Sequence, residues 1–393
     1  MKAAFIPVGA GGHILASTPM VTELVKKGVD VIYFAPENQK VRVDATGARW
    51  FNMHMDPAAG LLPGEDFLAC IPLVFLTQAK DCIDDILPVL EEEKPDLLIV
   101  DQLAIAGRLA SSKLGIPMIM FHSTYVANDK WSISRFWPEY PDTNPARMQA
   151  KALAEEFTEK YGIEHLDVFK IFEGHADFNI VTLARSFQPA GESFGDDYFF
   201  AGAQIAKRGG DSAWEAPTNG KPLLYTSLGS LFNNWPEFYE MLFPVVKDMD
   251  INVLCSLGNV LKPEDLGEIP ANVQMMAFTP QLEVLSKCDF FLTHAGVGSV
   301  MEALHFGVPC MCIPQMDEQI MTAARMVELG VASASLLKEQ VTEDTLREAI
   351  TKLLNDKSFV ENAKVIADEM EAAGGAPAAA DKVIEYMKAH CLK

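Results

Sequence analysis

Residues 278–319 read FTPQLEVLSKCDFFLTHAGVGSVMEALHFGVPCMCIPQMDEQ, and their pattern predicts the fold class. It contains two places where a short apolar strand passes through a tight turn into a helix. The first strand ends at Thr293 and the second at Ile313. Strands that alternate with helices predict a parallel sheet covered by helices on both faces.

The same alternation extends over the rest of the chain. In the first half we predict strands at 3–8, 31–35, 97–100 and 117–121 and helices at 18–27 and 104–114. After a polar segment rich in Gly and Pro, strands are predicted again at 223–227, 253–256, 273–278, 290–293 and 310–313. We therefore expect an α/β protein with two facing Rossmann-like domains, whose active-site cleft lies at the carboxyl ends of both sheets.

Changes in composition give the expected domain boundaries. Residues 1–203 form the first predicted domain, 204–221 a linker, and 222–375 the second domain. A break rich in small residues precedes the last helix, and we expect residues 376–393 to pack back toward the first domain. Residues 54–78 and 123–170 show less regular patterns and many Phe, Met, Trp and Tyr residues, as insertions that line binding sites often do.

The composition excludes several classes of partner. The 393 residues include 54 acidic and 32 basic side chains, a formal net charge of −22 at pH 7. Such a surface repels nucleic acid and anionic lipid, so we expect neither a nucleic-acid nor a membrane partner. The seven cysteines lack metal-binding spacing and have apolar neighbours, which favours a reducing compartment. Without a recognisable signal peptide or membrane span, the expected location is cytoplasmic.

The turn after Thr293 combines two glycines with a helix start. Gly296 and Gly298 allow close approach to the backbone, while the helix start offers unpaired N–H groups. His294 and Ser299 add side-chain donors. This arrangement is typical of a diphosphate site that needs neither lysine nor metal.

A histidine and a carboxylate follow two strands of the first half. His13 lies after the first strand, at the start of a helix whose N-terminus disfavours an imidazolium. Asp101 closes the strand predicted at 97–100 and is the natural partner for the second ring nitrogen. The pair predicts a general base.

Taken in order, the motifs FTPQ, THAG, GS..E, GVP and P...EQ resemble the donor block of family 1 UDP-glycosyltransferases, and THAGVGSVME is similar to the bacterial macrolide-glycosyltransferase subgroup. The resemblance implies a GT-B fold and His13–Asp101 as catalytic dyad. It implies that Glu302 contacts the ribose of the donor and that Glu318 and Gln319 contact its hexose. The full implied donor set is Ser227, Gly229, Ser230, Phe278, Thr279, Gln281, His294, Gly296, Val297, Gly298, Ser299, Glu302, Glu318 and Gln319.

By the same resemblance, the reaction is an inverting, metal-independent transfer of a hexose, with glucose expected, from a UDP-sugar to a hydroxyl. No cofactor and no metal are expected, and the protein would be a monomer or weak homodimer. The aromatic and Met content of the first domain favours a small hydrophobic or aromatic acceptor such as a polyphenol, macrolide or terpenoid. The acceptor candidates are Phe67, Phe75, Met120, His122, Trp131 and Phe136.

Other functions fit parts of the pattern. A non-hydrolysing UDP-sugar epimerase shares the two-domain fold. Gly9, Gly11 and Gly12 resemble a dinucleotide fingerprint, although Ile14 occupies the place of its third glycine, so an NAD-dependent oxidoreductase is a weaker alternative. Residues 248–250 form an Asp-Met-Asp sequence that would bind a metal–nucleotide in another glycosyltransferase fold. Its position before a strand favours a solvated turn instead.

Overall fold

The computed structural model describes residues 1–56, 58–163, 172–205, 214–229 and 233–391. These residues form two compact units. The first comprises Met1–Ile205 together with Ala373–Lys393, and the second comprises Ala206–Ala372. No described helix has the length and apolar character needed to span a bilayer.

The first unit is a parallel α/β sheet with helices on both faces. Its seven strands are β1 (Lys2–Ile6), β2 (Asp30–Ala35), β3 (Arg49–Asn52), β4 (Leu97–Asp101), β5 (Met118–His122), β6 (Asn179–Val181) and β7 (Tyr198–Phe200). They are arranged in the order β3-β2-β1-β4-β5-β6-β7. The sheet thus grows from β1 to β3 on one side, and β4 then continues it on the other side of β1. The helices are α1 (Gly11–Lys26), α2 (Lys40–Asp44), α3 (Phe67–Glu93), α4 (Ile105–Leu114), α5 (Pro145–Tyr161) and, from the chain end, α12 (Gly375–His390).

The second unit repeats this architecture with six parallel strands. They are β8 (Leu223–Ser227), β9 (Asn252–Ser256), β10 (Val273–Met276), β11 (Phe290–Thr293), β12 (Cys310–Cys312) and β13 (Ala332–Ser335), in the order β10-β9-β8-β11-β12-β13. Its helices are α6 (Pro236–Lys247), α7 (Gln281–Leu285), α8 (Val297–His305), α9 (Asp317–Glu328), α10 (Glu343–Asn355) and α11 (Ser358–Ala373).

Burial explains why the central strands are largely apolar. Strands β4 and β8 are buried at every position, because helices cover both faces of a parallel sheet. In the first unit α3, α4 and α5 pack together against one face, and α1 and α12 contribute to the core on the other. The register pairs Ile6 of β1 with Val100 of β4, so both strands end at the same edge.

Three segments are more regular than the sequence predicts. Residues 67–78 are the beginning of α3, which continues through Pro72 and Pro88, and Asn144 caps α5 within the supposedly irregular 123–170. Because α3 is buried around much of its circumference, it lacks the simple amphipathic pattern of a surface helix. The predicted break before the last helix is limited to the turn at Gly374, since α12 already begins at Gly375.

Candidate active site

His13 projects from the first turn of α1 and pairs with the carboxylate at the end of β4. His13 Nδ1 lies 2.8 Å from Asp101 Oδ2, and the imidazole remains 21% exposed while the carboxylate is fully buried. Strands β1 and β4 are neighbours in the sheet and end at the same edge, so the residues that follow them lie close together. The structure therefore brings together the two residues that the sequence proposed as a dyad.

Further hydrogen bonds hold the Asp101 carboxylate in place. The backbone N–H of Leu103 donates to Asp101 Oδ1 at 3.0 Å, which leaves Oδ2 facing His13. Because an ionised carboxylate only accepts, Nδ1 of the imidazole carries the proton in this pair. Nε2 then holds the lone pair, as a general base requires.

Ser123, immediately after β5, is a third member of this cluster that sequence reasoning missed. Its Oγ lies 2.8 Å from the same Nδ1 of His13. The two residues are 110 positions apart, and only the pairing of β4 with β5 and of β1 with β4 brings them together. A serine after a strand carries no sequence signal that would distinguish it from an ordinary loop residue.

In the second unit, His294 occupies a space that two glycines leave open. A Cβ on Gly229 would lie 2.7 Å from His294 Nε2, and one on Gly296 would lie 2.6 Å from it. Gly229 has a φ of +84°, and Ala295 also has a positive φ of 63° between the histidine and α8. The turns after β8 and β11 thus fit together around one imidazole. Burial lowers the pKa of His294 to about 4, so the ring is neutral at pH 7.

A hydrogen-bonded chain connects four of the expected donor residues through a tyrosine. The Tyr225 hydroxyl lies 2.6 Å from Thr279 Oγ1 and donates to Gln281 Oε1 at 3.2 Å. Gln281 Nε2 in turn donates to Glu302 Oε2 at 2.7 Å and to Ser299 Oγ at 3.2 Å. Burial raises the pKa of Tyr225 to about 12, which keeps its hydroxyl a donor. In the sequence, Tyr225 is only one residue of the strand predicted at 223–227, and nothing there indicates a role for its hydroxyl.

These hydrogen bonds fix the orientation of the donor-site side chains before a ligand binds. Tyr225 of β8 stacks on Phe291 of β11 with ring centroids 4.8 Å apart, and this contact fixes the ring that carries the hydroxyl. Glu302 is buried on α8, three residues after Ser299. Preorganised polar groups of this kind suit a polar ligand, because little side-chain freedom is lost on binding.

The remaining expected donor residues lie around the same unit in different environments. Phe278 follows β10 and is 62% exposed, as a stacking platform requires. Val297 and Gly298 open α8, and Glu318 and Gln319 lie in the first turn of α9. Gln319 Oε1 accepts a hydrogen bond from the Gln315 backbone at 2.8 Å. Ser227 ends β8 and is buried, and its Oγ accepts a hydrogen bond from the Gly229 N–H at 3.4 Å. Ser230, the last of the predicted donor residues, lies outside the described residues.

Two of the six acceptor candidates are wrong. Met120 is fully buried in the core of the sheet. His122 is also buried, with Nε2 3.1 Å from Asn179 Oδ1 and Nδ1 2.7 Å from Gln102 Oε1. Burial lowers the pKa of His122 to about 4, so it is a neutral core residue. Both belong to β5, whose alternation in a doubly covered sheet gives no outward face.

The other four acceptor candidates keep accessible surface. Phe67 begins α3 and is exposed, while Phe75, on the same helix, is half-buried against the core. Trp131 packs on Phe136, with ring centroids 6.3 Å apart, and Phe136 is exposed. These aromatic surfaces belong to the same unit as His13.

The Asp-Met-Asp sequence is a surface turn between α6 and β9. Asp250 pairs with Lys221 at 2.7 Å, and both side chains are exposed. The turn precedes β9, at the opposite edge of the sheet from the turns around His294. Within the described ranges, no three His, Cys, Asp or Glu side chains are grouped as metal ligands would be.

Comparison with known proteins identifies the class. Residues 240–386 match the family described as "Erythromycin biosynthesis protein CIII-like, C-terminal domain". The NDP-glycosyltransferase YjiC of Bacillus licheniformis is 32% identical, over 98% of this chain and 97% of the relative. The demethyllactenocin mycarosyltransferase of Streptomyces fradiae is 30% identical, over 97% and 85%. The crystal structure of CalG4, the calicheamicin glycosyltransferase, matches with a TM-score of 0.88 at 27% identity, covering 100% of this chain and 99% of that one.

Two parallel α/β units of this topology define a GT-B glycosyltransferase, which confirms the predicted fold class. The chain belongs to the family 1 glycosyltransferases, in the bacterial macrolide-type subgroup, whose donors are nucleoside-diphosphate sugars. The comparisons give no support to the epimerase alternative, and the relatives described above are all named as transferases.

Proposed function

We propose that this enzyme transfers a hexose, glucose in the first instance, from a UDP-sugar to a hydroxyl of a small hydrophobic or aromatic acceptor, with inversion and without a metal. The observation that carries the proposal is the 2.8 Å contact between His13 Nδ1 and Asp101 Oδ2. It holds the imidazole in the tautomer that accepts a proton at Nε2.

The proposed reaction is a single displacement. His13 Nε2 takes the proton of the acceptor hydroxyl as its oxygen forms a bond to the anomeric carbon. The bond from that carbon to the phosphate oxygen breaks, and UDP leaves with the electron pair. Attack opposite the leaving group inverts the anomeric configuration, so an α-linked donor gives a β-glycoside. Asp101 stabilises the imidazolium that forms on His13, as a buried carboxylate does in related dyads.

The proposed donor preference rests on the hydrogen bonds that connect Tyr225, Gln281 and Glu302. A buried carboxylate at the end of this hydrogen-bonded chain suits the two hydroxyls of a ribose, and a 2′-deoxyribose would leave one of its bonds unmade. The start of α8 and the neutral His294 are proposed to receive the diphosphate. Glu318 and Gln319 are proposed to contact the hexose.

Two relatives support a natural-product acceptor. The mycarosyltransferase is named for demethyllactenocin, and CalG4 is named for calicheamicin. By similarity we propose that this chain also glycosylates an extended, largely apolar molecule. The exposed rings of Phe67 and Phe136 fit such a ligand, because aromatic surfaces bind flat apolar groups well.

The direct test is incubation with UDP-glucose and a panel of flavones, macrolides and terpenoids, followed by mass spectrometry. The expected product gains one hexosyl group, its NMR spectrum shows the β-configuration, and His13→Ala abolishes most of the turnover. Activity should persist in EDTA. An α-linked product would contradict inversion, and a loss in EDTA that Mg²⁺ restores would contradict the metal-free mechanism.

A further inference from the structure

A narrow cleft in the first unit contains one polar side chain without a partner. Its walls include Pro7 and Val8 after β1, Met55, and the turn into α4. Within this lining, as far as the chain is described, Gln78 of α3 is the only residue with a side-chain amide or hydroxyl. It is 8% exposed, and its Oε1 accepts no hydrogen bond from any described residue.

Gln78 lies on a face of α3 where the neighbouring side chains are not strongly polar. Phe75 and Cys82 lie three and four positions from it and line the same cleft, so the three share one helix face. The other two side chains are apolar or weakly polar. A buried amide oxygen without a partner destabilises the protein, so such an atom calls for a ligand or another explanation.

Residues that line the cleft form hydrogen bonds with the segments that carry the proposed dyad, His13 and Asp101. The N–H of Leu103, a lining residue, donates to Asp101 Oδ1 at 3.0 Å. The N–H of Ala104, also in the lining, donates to the Asp101 carbonyl at 2.8 Å. Met55 Sδ accepts from the Gly9 N–H at 3.1 Å, four residues before His13. The loops that hold the dyad are therefore the loops that form the cleft.

We propose that Gln78 binds a second hydroxyl of the acceptor, one that does not receive the sugar. The proposal rests on the transfer reaction above and makes Gln78 a specificity-determining residue for it. A hydroxyl both donates and accepts, so it satisfies the amide in either orientation. The space between the walls holds about one water-sized group, which fits a single hydroxyl on the edge of an apolar ring.

The first arm of the test measures stability without ligand. Gln78→Met keeps the length of the side chain and removes the unpaired amide, so the variant should melt at or above the temperature of the wild type. The matched control is Gln188→Met. Gln188 is 1% exposed, and its amide exchanges two 3.0 Å hydrogen bonds with the backbone of Val126. This control should melt lower. A Gln78→Met protein that melts below the wild type would overturn the proposal, because Gln78 would then be a structural residue.

The second arm measures kcat/KM for 7-hydroxyflavone and for its isomers with one additional hydroxyl at positions 3, 5, 6, 2′, 3′ or 4′, counting only transfer to O7. The wild type should prefer at least one dihydroxyflavone over 7-hydroxyflavone by about tenfold or more, as a lost hydrogen bond to a buried group implies. Gln78→Met should reduce that preference to within about threefold, with 7-hydroxyflavone itself little affected.

The results separate the two proposals. A wild type that shows no such preference, or a preference that survives in Gln78→Met, overturns the role of Gln78 while the transfer reaction stands. If the wild type glycosylates none of the flavones, macrolides or terpenoids, the proposed function itself fails. The role of Gln78 in acceptor binding then fails with it, whatever the melting temperatures show.

Discussion

Replacing Asp101 by asparagine should be more damaging than replacing it by alanine. The Leu103 N–H donates to Asp101 Oδ1, so an asparagine at this position would turn its carbonyl oxygen toward Leu103 and its NH₂ toward His13. The NH₂ group donates to Nδ1, which moves the ring proton to Nε2. The general base would then already carry the proton that it must accept.

Alanine has the opposite effect on the tautomer. Ser123 Oγ lies 2.8 Å from His13 Nδ1 and can accept a hydrogen bond from the Nδ1–H once the carboxylate is gone, so the proton stays on Nδ1 and Nε2 keeps its lone pair. A positioned base contributes about 10²–10⁴ in rate. We expect Asp101→Asn to lose most of that factor, and Asp101→Ala to retain about tenfold more activity. Combining Asp101→Ala with Ser123→Ala should remove the advantage.

The assay is kcat at saturating UDP-glucose on an aliphatic alcohol acceptor, with UDP affinity measured by calorimetry as the control. Melting curves must show that each variant is folded, because Asp101→Ala leaves the buried Leu103 N–H without its acceptor. UDP affinity should be unchanged in all three variants. If Asp101→Asn proved as active as Asp101→Ala or more so, the tautomer argument would be refuted.

Three further perturbations test other parts of the structure. His122 has a pKa lowered to about 4 by burial, against about 6.5 when unfolded, so the unfolded state binds more protons between these values. His122 should therefore contribute a fall of up to about 3 kcal/mol in the free energy of unfolding, measured with urea, between pH 6.5 and pH 4, and the total fall should be smaller in His122→Phe. Gly229→Ala should lower the melting temperature and UDP affinity, because alanine at φ +84° is strained by about 1–2 kcal/mol and its Cβ would meet His294. Glu302→Ala should lower UDP affinity about 10-fold and 2′-deoxy-UDP affinity by clearly less, as calorimetry would show; equal losses for both ligands would exclude a contact with the 2′-hydroxyl.

The sequence predicts the sheet better than the helices around it. Strands such as β4 and β11 are short, apolar and bounded by turn residues, so their local composition suffices. Helix α3 was not predicted, because it contains Pro72 and Pro88 and is apolar on several sides. The packing of α3 against α4 and α5 stabilises it, and that packing is a tertiary effect that no local window contains.

The donor residues could be inferred because most of them lie in one stretch. Phe278 to Gln319 spans two consecutive strand–helix turns, and the order of motifs there is itself the signal. Ser123 and Tyr225 contribute to the same two clusters but reach them across 110 and 54 or more positions. Contacts over such separations depend on strand order, which the sequence alone did not specify.

The acceptor side is harder to infer for a physical reason. Its proposed contacts come from α3 and from the loops after β1, β4 and β5, and each contributes one or two side chains without a shared motif. Residue type was a poor guide within strands, because a Met or His residue in a doubly covered sheet is core, as Met120 and His122 are. The informative feature was the reverse: a polar side chain, Gln78, in a place where the packing requires none. An unpaired amide in an apolar lining therefore indicates the chemistry of an acceptor more directly than the apolar lining itself.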